Sequence, residues 1–94
     1  MNVYITDGSE CCFYTAVFSA CTDRDCIITS SRTVQLAFDS TVIIVAPDEN
    51  KCERVKGKLR RYAPRSLGDI SLILRRGSAA KEQVALEYIR LIVQ

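Results

Sequence analysis

The chain of 94 residues contains no histidine. That absence removes Ser-His-Asp and Cys-His nucleophile systems, histidine-containing metal sites and the usual general base near neutral pH. No apolar run reaches the roughly 18 to 20 residues that a membrane-spanning helix needs, and the first fifteen residues lack a basic segment followed by an apolar one. Neither GxGxxG nor GxxxxGK followed by Ser or Thr occurs, so the glycine-rich phosphate loops are missing too. The five cysteines, Cys11, Cys12, Cys21, Cys26 and Cys52, are spaced for neither a zinc site nor a disulfide framework. A cytoplasmic, reducing location is therefore expected. Internal repeats, low-complexity stretches and linkers are also absent.

What is present reads as one small soluble domain over residues 1–94, with a single modest core and a stability of only several kcal/mol. "NVYIT" (Asn2 to Thr6) is β-branched and aromatic and ends at Asp7-Gly8, which predicts a strand and a turn. Ser9 is then an N-cap. Phe13, Ala16, Val17, Ala20 and Cys21 follow at i, i+3, i+4, i+7 and i+8, one apolar stripe along a helix from about Glu10 to Cys21. Thr22 to Phe38 reads as a connection holding short extended pieces at Cys26 to Thr29 and Thr33 to Phe38.

"TVIIVA" (Thr41 to Ala46) is the clearest strand, apolar on both faces and stopped by Pro47-Asp48. It can pair in parallel with Asn2 to Thr6 in a βαβ unit, or antiparallel through the middle segment. Asp48 caps a helix to about Tyr62, with Cys52, Val55, Leu59 and Tyr62 inward. Pro64 and Ser66, with Asp69 three residues on, open the next helix, whose buried face is Leu67, Ile70, Ile73 and Leu74 and which Gly77 ends. Ser78 caps a last helix. The class is α+β: a sheet of two or three strands, a βαβ start and about three C-terminal helices. In the last helix "ALEYIRLIV" is apolar around most of its circumference. Such a helix is buried on several sides, dimerises, or belongs to something longer.

Three places invite chemistry. Cys11 and Cys12 stand at a helix N-terminus, where thiol pKa values fall. Two sulfurs do not complete a metal site, however, and helical geometry puts Cys12 beside the buried stripe and Cys11 nearer solvent. Asp7-Gly8-Ser9 resembles a phosphate-holding turn only faintly; a turn with a cap accounts for it, although Asp7 at a strand end is also placed to orient a substrate. The third place is basic. Lys51, Arg54, Lys56, Lys58, Arg60, Arg61 and Arg65 are opposed only by Glu53, in a chain of net charge +2.

On a helix Arg54, Lys58 and Arg61 share one face, with Lys51 above them, and such a row can follow a nucleic-acid backbone. Arg75 and Arg76 extend the basic character. The bland alternative is the solvated face of an amphipathic helix. Tyr62 is the only aromatic within the run, so base stacking has little support and binding would be led by phosphate, non-specific and salt-dependent. Asp7, Asp39, Asp48 and Asp69 form no recognisable catalytic pair. No catalytic residue, metal or cofactor is expected.

"YITDGSECCFYTAVFSA" resembles the opening of an uncharacterised bacterial family of DNA metabolism proteins, which begin with a tyrosine-containing strand, an Asp-Gly-Ser turn and a Phe-x-x-Ala-Val helix. Tyr4, Asp7, Gly8, Ser9, Phe13, Ala16 and Val17 carry that likeness. "KCERVKGKL" and "YIRL" are similar to the family's Lys-Ala-x-Arg-Val and Tyr-x-Arg-Leu helices, at Lys51, Arg54 and Val55 and at Tyr88, Arg90 and Leu91; "VQLAF" resembles its Gln-Leu-x-Phe element. The resemblance implies a role in DNA repair or modification. Its implied partners are a radical S-adenosylmethionine protein resembling spore photoproduct lyase, or a uracil-DNA-glycosylase-like domain. Family chains are longer, so this sequence matches their N-terminal portion. It departs from them at Cys11 and Cys12, where the family carries an acidic or polar residue and then glycine.

The expectation is thus a non-catalytic accessory domain touching DNA through Lys51, Arg54, Lys58 and Arg61. The alternative is an interaction module that docks such a partner, or a second copy, through Tyr88, Leu91 and Ile92. An enzyme using Asp7 beside Ser9 ranks third.

Overall fold

The computed structural model describes residues 1–23, 25–30, 40–76 and 80–93. In chain order these form β1 (Asn2–Ile5), α1 (Glu10–Ala20), β2 (Cys26–Thr29), β3 (Thr41–Ile44), α2 (Glu49–Tyr62), α3 (Ser66–Arg75) and α4 (Lys81–Val93). The expected extended piece at Thr33 to Phe38, the stop at Gly77 and the cap at Ser78 lie outside the described residues.

Among the described residues the sheet is three-stranded, in the order β2-β1-β3, with both pairings parallel. The class is α+β, as expected from a small sheet with a βαβ start followed by three C-terminal helices, and the antiparallel alternative is overturned. Val3 aligns with Ile27 and Val42, and Tyr4 with Ile28 and Ile43. Because side chains alternate across a strand, these two rows point to opposite faces. The Tyr4 row joins the main core with Phe13, Tyr14, Val17, Leu59, Ile70, Leu86 and Ile89 from the helices.

"TVIIVA" forms the expected strand, apolar on both faces, but among the described residues it is an edge strand with Val42 42% and Ile44 64% exposed. Only its Ile43 and Val45 side reaches the core. β-branched residues stiffen χ1 and favour extended backbone wherever they stand, so the strand forms without the burial that its composition suggests. The other edge is closed by α4: Ile28 N–H donates to Gln83 Oε1 at 3.3 Å, and Ser30 donates its N–H and hydroxyl to Glu82 Oε1 at 2.8 and 2.6 Å.

α1 is the most enclosed helix, with Cys12 to Val17 and Ala20 buried and Phe13 edge-on to Tyr14 at 5.4 Å. α2 buries Cys52 and Leu59 on one side. Tyr62, expected inward, is 63% exposed: it is the last residue of α2, where the stripe has run past its neighbours. α3 begins at Ser66 as expected, but its N-cap is Arg65 with no side-chain bond, and the Ser66 hydroxyl is buried without a partner. The α4 apolar run is buried only through Ala85, Leu86 and Ile89, not on several sides. Among the described residues no helix is long and apolar enough to cross a membrane.

Candidate functional site

The orientation of α2 is set at its first turn. Asp48 extends from β3 and caps the helix, its carboxylate accepting from the N–H groups of Asn50 (3.0 Å) and Lys51 (3.2 Å). Thr15 of α1 fixes the same residue from the side: its hydroxyl accepts from Asp48 N–H at 3.0 Å, and its one proton is shared between Cys11 O at 2.8 Å and Asp48 O at 3.2 Å. With the start pinned, a rotation of 100° per residue decides where every later side chain points. Cys52 and Leu59 go inward, and Lys51, Arg54, Lys58 and Arg61 fall together on an exposed face.

That face is strongly cationic. None of the four has an ion-pair partner among the described residues; the one pair on α2 is Arg60 with Glu53 at 3.9 Å, on another flank and exposed on both sides, so its stabilisation is small. Lys56 departs from the group, being half-buried with its Nζ 5.4 Å from the centre of the Tyr14 ring. Arg75 and Arg76 are exposed at the end of α3 and line neither of the hollows that Arg54 and Lys58 border.

One hollow, of about 260 Å³, lies between α1, α2 and α4 over Val17, Val55, Leu59, Ile89 and Val93, with Phe18, Arg54 and Lys58 in its wall beside Cys21 and Thr22. The other sits on α2 itself, over Gly57, and is bounded by Glu53, Arg54, Lys58, Arg61 and Tyr62. Phe18 is not among the residues that sequence reasoning picks out. It lies outside the inward stripe of α1, so its exposure is legible, but its position beside a helix more than thirty residues away in sequence is not.

Asp7-Gly8-Ser9 forms a closed local turn. Gly8 has φ +90°, where a Cβ is strained. Asp7 Oδ1 accepts from the Ser9 N–H (2.8 Å) and hydroxyl (2.6 Å), Thr6 Oγ1 accepts from Gly8 N–H, and Ser9 Oγ accepts from Cys12 N–H. The Ser9 hydroxyl and then its amide hold the Asp7 carboxyl below the usual carboxylate range. Three amides of the turn are thereby taken, and the geometry is that of a turn and a cap rather than a phosphate cradle.

The buried thiols are held in their neutral form. Burial pushes Cys12 up, and its Sγ donates to Val45 O at 3.2 Å. Burial, then a hydrogen bond with Cys11, pushes Cys52 up to about 11. Cys11 itself is half-buried. Among the described residues no group of three or more metal-ligating side chains converges.

The residues expected at an interface on α4 separate. Leu91 is 77% exposed, whereas Ile92 is half-buried against the core. Tyr88 is half-buried, and its hydroxyl donates to Asp69 Oδ2 of α3 at 2.7 Å, which pushes the phenol up. Val84, seven residues before Leu91 on the same helix face, and Leu72 of α3 are also exposed. Arg90 serves the fold: its Nη2 donates to Asp23 O at 2.7 Å and Ala20 O at 3.4 Å, tying α4 to the end of α1. Comparisons of the chain with protein-family models, with curated proteins and with solved structures find no match.

Proposed function

We propose that the protein is a non-catalytic accessory domain that holds a nucleic-acid backbone on α2 within a DNA repair or modification system. One observation carries the backbone contact: Lys51, Arg54, Lys58 and Arg61 are exposed on one helix face without ion-pair partners among the described residues. Charges that satisfy no internal carboxylate are free to neutralise phosphates and release their counterions. The wider system, and a radical S-adenosylmethionine or uracil-DNA-glycosylase-like partner within it, rest on the resemblance at Tyr4 to Ala20, Lys51 to Leu59 and Tyr88 to Leu91.

Four phosphate contacts correspond to a slope of log affinity on log salt of about −3 to −4, a loss of about 50- to 150-fold between about 50 and 200 mM salt. Anisotropy titrations of a labelled duplex and a labelled single strand at those two concentrations test it. The triple substitution Arg54→Ala, Lys58→Ala and Arg61→Ala is expected to abolish most of the binding and most of the slope. Absence of binding at the lower salt, or unchanged binding by the triple variant, overturns the proposal.

A second reading has its own support in the exposed Val84, Leu91 and Leu72 of α3 and α4. On that reading the apolar surface docks a protein partner or a second copy, with an affinity indifferent to salt.

A further inference from the structure

Among the described residues, six carry aromatic side chains, and only two of these are exposed: Phe18 at 40% and Tyr62 at 63%. Tyr4, Phe13 and Tyr14 are in the core, and Tyr88 is half-buried and bonded to Asp69. Both exposed rings belong to the cationic surface. Phe18 lines the hollow between the helices together with Arg54 and Lys58, and Tyr62 lines the hollow on α2 together with the same two residues and Arg61. Arg54 and Lys58 are thus common to the walls of both hollows. Lys51 Nζ lies 5.6 Å from the centre of the Phe18 ring, so that ring already faces a cation.

Resting on the proposed nucleic-acid contact, we infer that the ligand is single-stranded: bases stack on Phe18 and Tyr62 while Arg54 and Lys58 hold the phosphates between them. An exposed ring offers a base nothing while that base is stacked inside a duplex, whereas every unpaired base presents a free face. Phe18 faces Lys51, and Lys51 and Tyr62 are eleven residues apart on α2, about 16 Å at 1.5 Å per residue, with Arg54 and Lys58 in the turns between them. The rings accordingly meet bases that are not adjacent, and the cations meet the backbone that joins them. Glu53 also lines the hollow of Tyr62 and repels phosphate there, but Arg60 stands 3.9 Å from it.

The experiment compares Phe18→Leu, Tyr62→Leu and Tyr62→Phe with the unsubstituted protein, each titrated with a labelled single strand and its duplex. Leucine keeps apolar volume in the hollow but removes the stacking face. Each leucine variant is expected to lose about 5- to 100-fold in single-strand affinity with an unchanged salt slope, while duplex affinity stays the same. Tyr62→Phe is expected to bind as the unsubstituted protein does. Circular dichroism of the variants reports whether they remain folded.

If the single strand binds with the expected salt slope and both leucine variants bind it equally well, stacking is refuted and the backbone contact stands. Duplex binding as tight as single-strand binding also refutes the inference. If neither nucleic acid binds at low salt, the backbone contact itself falls.

Discussion

The Cys52 thiol is 3% exposed on the inner side of α2, and its pKa rises from an ordinary 9.0 to about 11, chiefly through burial. Below pH 9 the thiol is protonated whether the chain is folded or not. Between pH 9 and about 11 it ionises only in the unfolded chain, so the unfolded state gains and stability falls as pH rises, by on the order of 3 kcal/mol for the full shift. Cys12 and Cys26 are shifted in the same direction by burial and add to the fall. Urea midpoints measured from about pH 8 to pH 11 should decline, and those of Cys52→Ala should decline less steeply; identical slopes would show that this thiol contributes nothing. At this scale the sequence is most informative where the interactions are local. The Asp7-Gly8-Ser9 turn spans three residues and satisfies itself, so it is readable from composition. The 3.6-residue period places Cys12 inside and Cys11 further out, as they are. Tyr62 misleads because periodicity says which way a side chain points, not whether a neighbour is there to cover it.

α2 carries the candidate site and also an avoidable cost. Gly57 lies in its middle, and a Cβ built there meets nothing within 4 Å. Gly57→Ala removes backbone freedom from the unfolded chain without a clash and should stabilise the protein by about 0.5–1 kcal/mol, read as a rise in the urea or thermal midpoint. A decrease would mean that the helix is distorted at this point. β3 makes the opposite case among the elements: its extended conformation is legible in "TVIIVA", but its place at the sheet edge is not. Strand order is set by which neighbours arrive, and β2 and β3 arrive on opposite sides of β1. The closure of β2 by Gln83 and Glu82 belongs to the same class, since it joins side chains more than fifty residues from the strand they cap.

Across the whole molecule, the cationic face of α2 and the apolar surface of α3 and α4 are two separate exposed features, and they predict different behaviour. If the apolar surface binds a partner or a second copy, sedimentation should show association that persists at high salt and that Leu91→Asp abolishes. Leu91 is 77% exposed, so that substitution should leave stability within about 0.5 kcal/mol. Ile92→Asp, by contrast, places a charge against the core and should lower stability directly. A monomer at all concentrations, with partner binding unchanged in Leu91→Asp, would refute the docking surface. By itself the sequence determined the element types, the α+β class, the turn at Gly8 and the concentration of positive charge after Asp48, because each follows from nearest-neighbour stereochemistry, helical period or composition. Only the tertiary structure decided that β3 is an edge and that Phe18 stands beside Arg54 and Lys58. Residues distant in the chain become neighbours through core packing, which local pattern does not encode.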